Sequence, residues 1–348
     1  MSTAEAEADV ERAAAAAALA AAIGGDLHDP TLADLVEEAR QMNALVAAFE
    51  AQVPPFDTPE GLAQLREAGG LFSAGTAEGV VETTIPGPAG PIPARVHEPD
   101  LPDGGPAAAV VLELHGGGWS IGSAASDDLG HARLAREVGV VVVAIDYRLA
   151  PEHPFPAGPD DAFAAAEWLL AEASGRWGTD RLVLAGGSAG AHLAALTALR
   201  LRDEHGPDVL RRIAGLNLVF GPYDLGMTPS QRGSDDALVI PRSIIETIYG
   251  YFLPGRDAEA RRDPSISPLY ADLTGLPPAL LTVGTLDPLL DDSLFFAARL
   301  RQAGTEATLA VYPEAIHGFP SFPTAMARHA RALMHAWIAD VAARPPRG

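Results

Sequence analysis

A serine stands among small residues at a point where the sequence changes from strand-like to helix-like. Residues 182–185 are apolar, Gly186-Gly187-Ser188-Ala189-Gly190 follows the pattern G-x-S-x-G, and an alanine-rich run comes next. A direct turn from strand into helix strains the serine backbone, and small neighbours relieve the crowding. The pattern predicts a nucleophile elbow with Ser188 at the carboxyl end of a strand. Because an ordinary turn explains these residues equally well, support must come from elsewhere in the chain.

A serine hydroxyl needs a general base and an orienting acid, which in this arrangement follow it in the order Asp or Glu, then His. Three histidines lie near the C terminus, His317, His329 and His335. His329 and His335 fall inside a predicted final helix, 323–343, where surface or packing roles are expected. His317 instead follows a predicted strand through a short loop, so we expect it to be the base.

Asp287 is the predicted acid because it stands just past another predicted strand end. Asp291 and Asp292 come one helical turn later, near the start of the next helix, and Asp224 follows a different strand. All three remain rivals. The interval between Asp287 and His317 has room for one helix and one strand, which would place the two side chains at neighbouring strand ends.

A glycine-rich loop, His115-Gly116-Gly117-Gly118-Trp119, follows the apolar run 107–114. Three glycines allow backbone N–H groups to point inward toward a developing oxyanion. The N–H of Ala189, at the start of the elbow helix, would add a further donor. A phosphate-binding loop is a poor alternative, since neither G-x-G-x-x-G nor G-x-x-x-x-G-K-[ST] occurs in this loop. We expect His115 to fix the loop by hydrogen bonds, not to act as a second base or a metal ligand.

The elements around these residues alternate between strand and helix. Segments 80–85 and 92–98 alternate in polarity around a Pro- and Gly-rich turn and predict an antiparallel hairpin. Six continuous apolar runs then predict strands covered on both faces, which makes eight strands in all. The chain is therefore predicted to be α/β, with a mostly parallel sheet and helices on both faces. The six runs are 107–114, 140–145, 182–185, 216–220, 279–283 and 308–312.

The predicted domain organisation is a catalytic domain with a helical cap. Residues 1–77 are predicted to be helical, carry no catalytic pattern, and are assigned to an N-terminal cap segment. The interval 221–264 is longer than a crossover requires and is assigned to a cap insertion. The catalytic domain then comprises 78–220 and 265–348, and ordinary surface helices remain the alternative to a cap.

Four aromatic residues are candidates for lining a substrate pocket, namely Trp119, Tyr249, Tyr251 and Phe252. Plain packing is the alternative for each of them. Glu113 lies in a strand that should be buried, so its carboxyl group needs a partner. We expect a hydrogen-bonded structural carboxylate, with a pocket residue as the alternative.

Composition excludes several classes of partner. The 348 residues include 24 Lys and Arg against 46 Asp and Glu, a net charge of −22, which argues against nucleic acid and anionic membrane surfaces. No apolar run approaches the roughly 18 residues of a membrane span. The absence of cysteine excludes disulfides and thiol catalysis. Acidic residues precede the apolar segment 13–23, unlike the positive start of an export signal, so a cytoplasmic protein is expected.

Six short segments between about residue 80 and residue 319, taken together and in their order along the chain, resemble the bacterial hormone-sensitive-lipase family of α/β-hydrolases. The resemblance implies an α/β-hydrolase fold with a helical cap. It also implies a serine carboxylesterase that acts on short- and medium-chain acyl esters without a cofactor or a metal, and it suggests homodimers through a sheet edge or the last helix. The segments are 115–119, 146–157, 186–190, 267–269, 287–289 and 316–319.

The resemblance also implies a role for each matching residue. Ser188 corresponds to the nucleophile, Asp287 to the acid and His317 to the base. The expected oxyanion donors are Gly117, Gly118 and Ala189, with Gly116 as a further candidate.

The sequence departs from the family pattern without losing a catalytic group. Gly187 stands where many members have Asp or Thr, Ala191-His192 replaces Gly-Asn, and Leu290 stands where Arg is usual. Two other function classes remain open. An acyltransferase or eliminating dehydratase could use the same triad, and a cap-closed small-molecule receptor would need no catalysis.

Overall fold

One eight-stranded sheet forms the centre of the chain. The computed structural model describes Leu32 and residues 35–69, 75–101 and 104–346. The strands are β1 Val81–Ile85, β2 Ile92–His97, β3 Val110–Leu114, β4 Val141–Ile145, β5 Leu182–Gly187, β6 Ile213–Val219, β7 Ala279–Gly284 and β8 Ala307–Tyr312. Their order is β1-β2-β4-β3-β5-β6-β7-β8. Only β2 runs antiparallel to its neighbours, so the predicted hairpin and mostly parallel sheet are confirmed.

Helices alternate with the strands, as the sequence predicts. They are α1 Val36–Phe49, α2 Pro59–Glu67, α3 Asp128–Val138, α4 Ala157–Trp177, α5 Ala189–His205, α6 Pro229–Arg232, α7 Arg242–Phe252, α8 Leu290–Gln302 and α9 Ala325–Ala343. Among the helices described, none has both the length and the hydropathy needed to cross a bilayer. The predicted helix at 13–23 lies outside the described residues.

Both faces of the sheet are covered by helices. Helices α3 and α9 pack against each other on one face, where the Trp337 ring lies over Gly215; a Cβ on that glycine would come within 2.5 Å of the ring. Helices α4 and α5 pack together on the other face, and Gly186 of β5 lies against Gly190 of α5. The central strands are buried on both sides, which explains their continuous apolar runs.

Two strand boundaries differ from the prediction. Strand β6 begins at Ile213, three residues earlier than the predicted 216. Ile213 and Gly215 also pair with β5, on either side of a register shift. Strand β3 begins at Val110, later than the predicted 107. The backbone N–H groups of Ala107 and Ala108 bond to carbonyl groups at the ends of α4 and α3 instead of to a neighbouring strand.

Helix α2 is fastened to the loops that follow β3 and β4. Arg66 donates to the carbonyl oxygens of Ser120 and Ala150, each at 2.8 Å. Its guanidinium also donates to both carboxylate oxygens of Glu152, at 2.8 and 2.7 Å. A planar guanidinium that bonds to four acceptors fixes position and orientation together. Helix α2 is therefore held at the edge of the sheet where parallel strands end.

Candidate active site

Ser188 occupies a strained turn between β5 and α5. Its backbone has φ 54° and ψ −120°, outside the conformations that side-chain-bearing residues usually adopt. The neighbouring glycines are required by close packing, because a Cβ on Gly190 would lie 1.7 Å from the carbonyl oxygen of Leu114. A Cβ on Gly186 would lie 2.5 Å from the backbone of Gly190. The turn that the G-x-S-x-G pattern predicts is therefore present.

The structure brings together the serine, histidine and aspartate expected from the sequence. The Nε2 atom of His317 lies 3.1 Å from Oγ of Ser188. Its Nδ1 atom lies 2.9 and 3.1 Å from the two carboxylate oxygens of Asp287. When Nδ1–H donates to the carboxylate, the lone pair of Nε2 faces the hydroxyl. The arrangement can therefore accept a proton from Ser188.

The loops after β7 and β8 are held against each other, and this contact fixes the pair of Asp287 and His317. The N–H of Leu286 donates to the carbonyl of Ala315, and a Cβ on Gly284 would lie 2.0 Å from that same oxygen. The buried Asp287 carboxylate also accepts the N–H of Leu289 at 2.8 Å. The backbone thus positions the carboxylate before any substrate binds.

The glycine loop lines the space in front of Ser188. Gly117 and Gly118 have φ values of 111° and 59°, in the region that favours glycine. Within the described ranges, their N–H groups donate to no protein acceptor. As the first residue of α5, Ala189 also carries an N–H without an intrahelical partner. Gly116 approaches β5 so closely that a Cβ there would lie 3.0 Å from the Gly187 carbonyl oxygen.

His115 fixes the glycine loop, as expected. Its Nδ1 lies 2.8 Å from the Gly116 carbonyl oxygen and its ring stacks on Tyr147 at 4.2 Å between centroids. The Tyr147 hydroxyl donates to the His115 carbonyl at 2.7 Å. Burial lowers the pKa of His115, so the ring is neutral and donates to the loop.

The rival acids have other partners. Asp292 is fully buried and accepts hydrogen bonds from two backbone N–H groups and two side chains of the segment 223–231. Asp291 accepts the N–H of Ser230 at 2.8 Å, and Asp224 accepts the hydroxyl of Tyr270 at 2.9 Å. These three carboxylates organise the segment after β6 and do not contact His317.

The rival bases lie on α9 and contact other side chains. The Nδ1 atom of His329 lies 3.2 Å from the Tyr312 hydroxyl. His335 pairs with Glu137 of α3 at 2.7 Å. Of the three C-terminal histidines, His317 alone contacts the serine.

A cavity of about 590 Å³ opens beside Ser188 and is lined mainly by apolar side chains. Trp119 and Tyr249 line it, as proposed from the sequence, but Tyr251 and Phe252 do not. Phe252 continues the buried face of α7 and stacks on Trp119 at 4.2 Å. Tyr251 projects from a different side of α7, and its hydroxyl donates to the carbonyl of Phe56. Spacing along the helix explains Tyr251, because it lies two residues from Tyr249 and so on a different face, whereas Phe252 shares the face of Tyr249 but is covered by the Trp119 ring.

Two polar cavity residues lie in the strands themselves. Glu113 of β3 and Asn217 of β6 line the cavity, on the two strands that flank β5. Among the described residues, Glu113 has no hydrogen bond or ion pair, so the expected structural partner is not present. Asn217 was not among the residues predicted from the sequence, although a single amide within an otherwise apolar run could have indicated it.

A second group of potential ligands is buried between β2 and α3. It comprises His97, Asp128 and His131, whose ligand atoms lie within 4.8 Å of one another. Burial lowers the pKa of each histidine to about 4, so both rings are neutral. Arg95 donates to both oxygens of Asp128, at 2.8 and 2.6 Å, and thereby neutralises the carboxylate. The negative charge of this group is therefore balanced within the protein by Arg95.

Comparison with known proteins supports one family. Residues 111–321 match the family described as an alpha/beta hydrolase fold. Carboxylesterase NlhH of Mycobacterium tuberculosis is 36% identical over 235 residues, which cover 66% of this chain and 72% of the relative. A hyperthermophilic esterase from Pyrobaculum calidifontis superposes with a TM-score of 0.75 at 30% identity, covering 86% of this chain and 97% of that one. A bacterial heroin esterase superposes with a TM-score of 0.76 at 30% identity, covering 87% and 97%.

The fold, the serine turn and these relatives agree with one another. The chain belongs to the α/β-hydrolase family, among the carboxylesterases of the hormone-sensitive-lipase type, and is a carboxylic ester hydrolase.

Proposed function

We propose that Ser188 is the nucleophile of this ester hydrolase, with His317 as its base and Asp287 as the orienting acid. The observation that carries the proposal is the continuous contact from carboxylate to imidazole to hydroxyl, with the hydroxyl 3.1 Å from Nε2. His317 takes the hydroxyl proton as the oxygen attacks the ester carbonyl. The Asp287 carboxylate holds the ring tautomer and stabilises the imidazolium that forms.

The tetrahedral intermediate carries its charge on the former carbonyl oxygen. The N–H groups of Gly117, Gly118 and Ala189 are proposed to donate to that oxygen, with Gly116 as a further candidate. Support comes from their position along the cavity wall and from the absence of a protein acceptor for the two loop N–H groups within the described ranges. Preorganised donors of this kind contribute about 3 kcal/mol each to lowering the barrier.

Collapse of the intermediate expels the alcohol, which takes the proton from His317, and leaves the acyl group on Ser188. Water then repeats the same sequence on the acyl-enzyme and releases the carboxylic acid. A cavity of about 590 Å³ with mainly apolar walls suits short- to medium-chain acyl esters.

The proposed cap comprises residues 1–77 and 221–264, over a catalytic domain of 78–220 and 265–348. Four residues of α7 line the cavity, namely Ile244, Ile245, Ile248 and Tyr249, and so does Phe56 from the N-terminal segment. The hydrogen bond from the Tyr251 hydroxyl to the Phe56 carbonyl joins the two parts. Such a cover would exclude water from the reacting ester.

A serine-reactive fluorophosphonate probe together with nitrophenyl ester kinetics tests the assignment. We expect the probe to label Ser188 and the Ser188→Ala variant to lose about 10⁶-fold in kcat, as in a comparable triad. The matched control is Ser265→Ala, which removes an exposed serine just after the proposed cap insertion and should preserve labelling and turnover. Near-normal turnover by Ser188→Ala would reject the nucleophile. Product analysis with an added alcohol separates hydrolysis from acyl transfer.

A cytoplasmic location and a homodimer through a sheet edge or the last helix stay predictions from the sequence. Light scattering on the purified protein tests the second of these.

A further inference from the structure

Three residues lie side by side across the sheet, below the elbow serine. Glu113 of β3 pairs with Ala185 of β5, and Ala185 pairs with Asn217 of β6. Residues paired across a sheet point to the same face. This face is the one covered by α3 and α9, because Gly215, two residues before Asn217, contacts Trp337 of α9. The small Ala185 therefore separates two polar side chains that share one compartment.

Both polar side chains keep unused hydrogen-bonding capacity. Asn217 is only 7% exposed, and its Oδ1 has no hydrogen-bond partner in the described part of the chain. Glu113 likewise lacks a partner there, and its remaining accessible surface borders the cavity. Burial, reinforced by the Asp127 carboxylate, raises the pKa of Glu113 to about 8. A protonated carboxyl and an amide together offer both donors and acceptors.

The compartment is continuous with the space around Ser188, since Glu113, Asn217, Gly187 and Ser188 all line one cavity. Gly187 pairs with Val219 and faces the same side of the sheet as Ala185 and Asn217. A Cβ at Gly187 would make only ordinary contact, 3.5 Å from the Phe220 ring. From Ala185 to Ser188 the chain advances three residues, about 10 Å, which is roughly eight bonds of an extended chain.

Part of the wall around the polar pair is apolar. Leu134 of α3 and Met334 and Ile338 of α9 line the same cavity. The cations on this side, Arg133 and Arg331, interact with the carboxylates of Asp127 and Glu137, so their charge is compensated within the protein. A plain alkyl chain here would bury two polar groups without partners, whereas a hydroxyl or oxo group would pair with both.

We propose that the preferred ester carries a neutral hydrogen-bonding group, a hydroxyl or an oxo group, near the end of the arm that enters the compartment between Glu113 and Asn217. This proposal rests on the esterase function proposed for Ser188. It names the class of substrate for that same site.

The test compares matched esters across a chain-length series. One pair comprises nitrophenyl alkanoates and the corresponding ω-hydroxyalkanoates, and a second pair comprises alkyl acetates and ω-hydroxyalkyl acetates. We expect one of the two pairs to favour the hydroxylated ester by about tenfold or more in kcat/KM at the length that reaches the compartment. The pair that shows the preference identifies the arm, acyl or alcohol. A preference for an ω-carboxylate ester, or equal rates throughout both series, would overturn the proposal.

Two variants each remove one member of the polar pair, and a third keeps its hydrogen-bonding capacity. Glu113→Leu and Asn217→Leu should abolish the preference and raise activity on the plain ester, whereas Glu113→Gln should keep it. Both leucine variants should fold, since they replace buried polar groups that lack partners. Glu82→Gln, an exposed change on β1 outside the cavity, is the control and should leave the ratio unchanged.

The outcomes separate this proposal from the function on which it rests. If nitrophenyl acetate is hydrolysed in a Ser188-dependent manner while no ω-hydroxy preference appears, the esterase assignment stands and the compartment simply holds water. If Ser188→Ala retains turnover, the esterase assignment itself fails.

Discussion

At the residue scale, the chemistry depends on how one carboxylate is held. Asp287 is buried, accepts a backbone N–H from Leu289, and contacts Nδ1 of His317. A carboxylate in this position accepts the Nδ1 proton and leaves Nε2 as the acceptor for the Ser188 hydroxyl. An amide of the same shape could turn its NH₂ group toward the ring and stabilise the opposite tautomer.

We therefore expect Asp287→Asn to lower kcat by about 10⁴-fold, as in a comparable triad, with little change in stability. Steady-state kinetics on a nitrophenyl ester measures the effect. The control is Asp291→Asn, four residues away in the first turn of α8, which should retain activity. A loss of less than tenfold in kcat for Asp287→Asn would show that another group orients His317.

At the element scale, one buried carboxylate holds the segment after β6. Asp292 lies at the start of α8 and accepts four hydrogen bonds, from the N–H groups of Tyr223 and Asp224 and the side chains of Thr228 and Gln231. Burial raises the pKa of Asp292 to about 7, and the four donors oppose that rise. The start of the proposed cap insertion is thus fastened to the first turn of α8.

Replacing Asp292 by Asn leaves one donor facing another donor, so we predict a loss of about 2 kcal/mol in the free energy of unfolding. Urea unfolding monitored by circular dichroism measures this change. Asp291→Asn is again the comparison, since its partly exposed carboxylate makes one bond that an amide oxygen can replace; its expected change is below about 0.5 kcal/mol. Equal stabilities of the two variants would contradict this role.

Helix α2 offers a second test at this scale. Arg66 fastens α2 to the loops after β3 and β4, and Phe56, just before the helix, lines the cavity. Arg66→Leu should raise KM for nitrophenyl esters about tenfold while kcat changes less, because the cover loosens and the triad stays in place. Glu60→Ala, an exposed change on the same helix, is the control. A kcat loss with unchanged KM would show that α2 acts on the catalytic groups instead.

At the scale of the whole molecule, the cavity couples stability to pH. The pKa of Glu113 is about 8 in the folded protein and about 4.5 in the unfolded chain. Between these values the folded state holds a proton that the unfolded state has lost, so stability falls as pH rises through this window. One proton contributes at most about 1.4 kcal/mol per pH unit.

The predicted measurement is the difference in unfolding free energy between the native protein and Glu113→Gln, followed from pH 5 to pH 9. The variant should lack the decrease in unfolding free energy that Glu113 causes, and so become more stable relative to the native protein as pH increases. Glu82→Gln, an exposed glutamate on the edge strand β1, serves as the control. Parallel curves for native and Glu113→Gln proteins would show that Glu113 ionises normally.

Much of the site could be predicted from the sequence because its geometry is local. The turn at Ser188 requires small neighbours, and the loop at Gly117 and Gly118 requires left-handed backbone, so residue type alone indicates both. The positions of Asp287 and His317 follow from topology, since parallel strands end at one edge of the sheet. Boundaries were less accurate where a glycine or a loop contact interrupts the apolar pattern, as at Gly215 and Ala108.

The sequence by itself determined the order of strands and helices along the chain, the strained turn at Ser188 and the candidate residues for its acid and base. Each of these follows from short stretches of neighbouring residues. Only the tertiary structure decided which carboxylate faces His317 and which aromatic side chains of α7 reach the cavity. It alone also placed Glu113 and Asn217 in one compartment. Those outcomes depend on contacts between segments far apart in sequence, and packing resolves them only when the whole sheet is assembled.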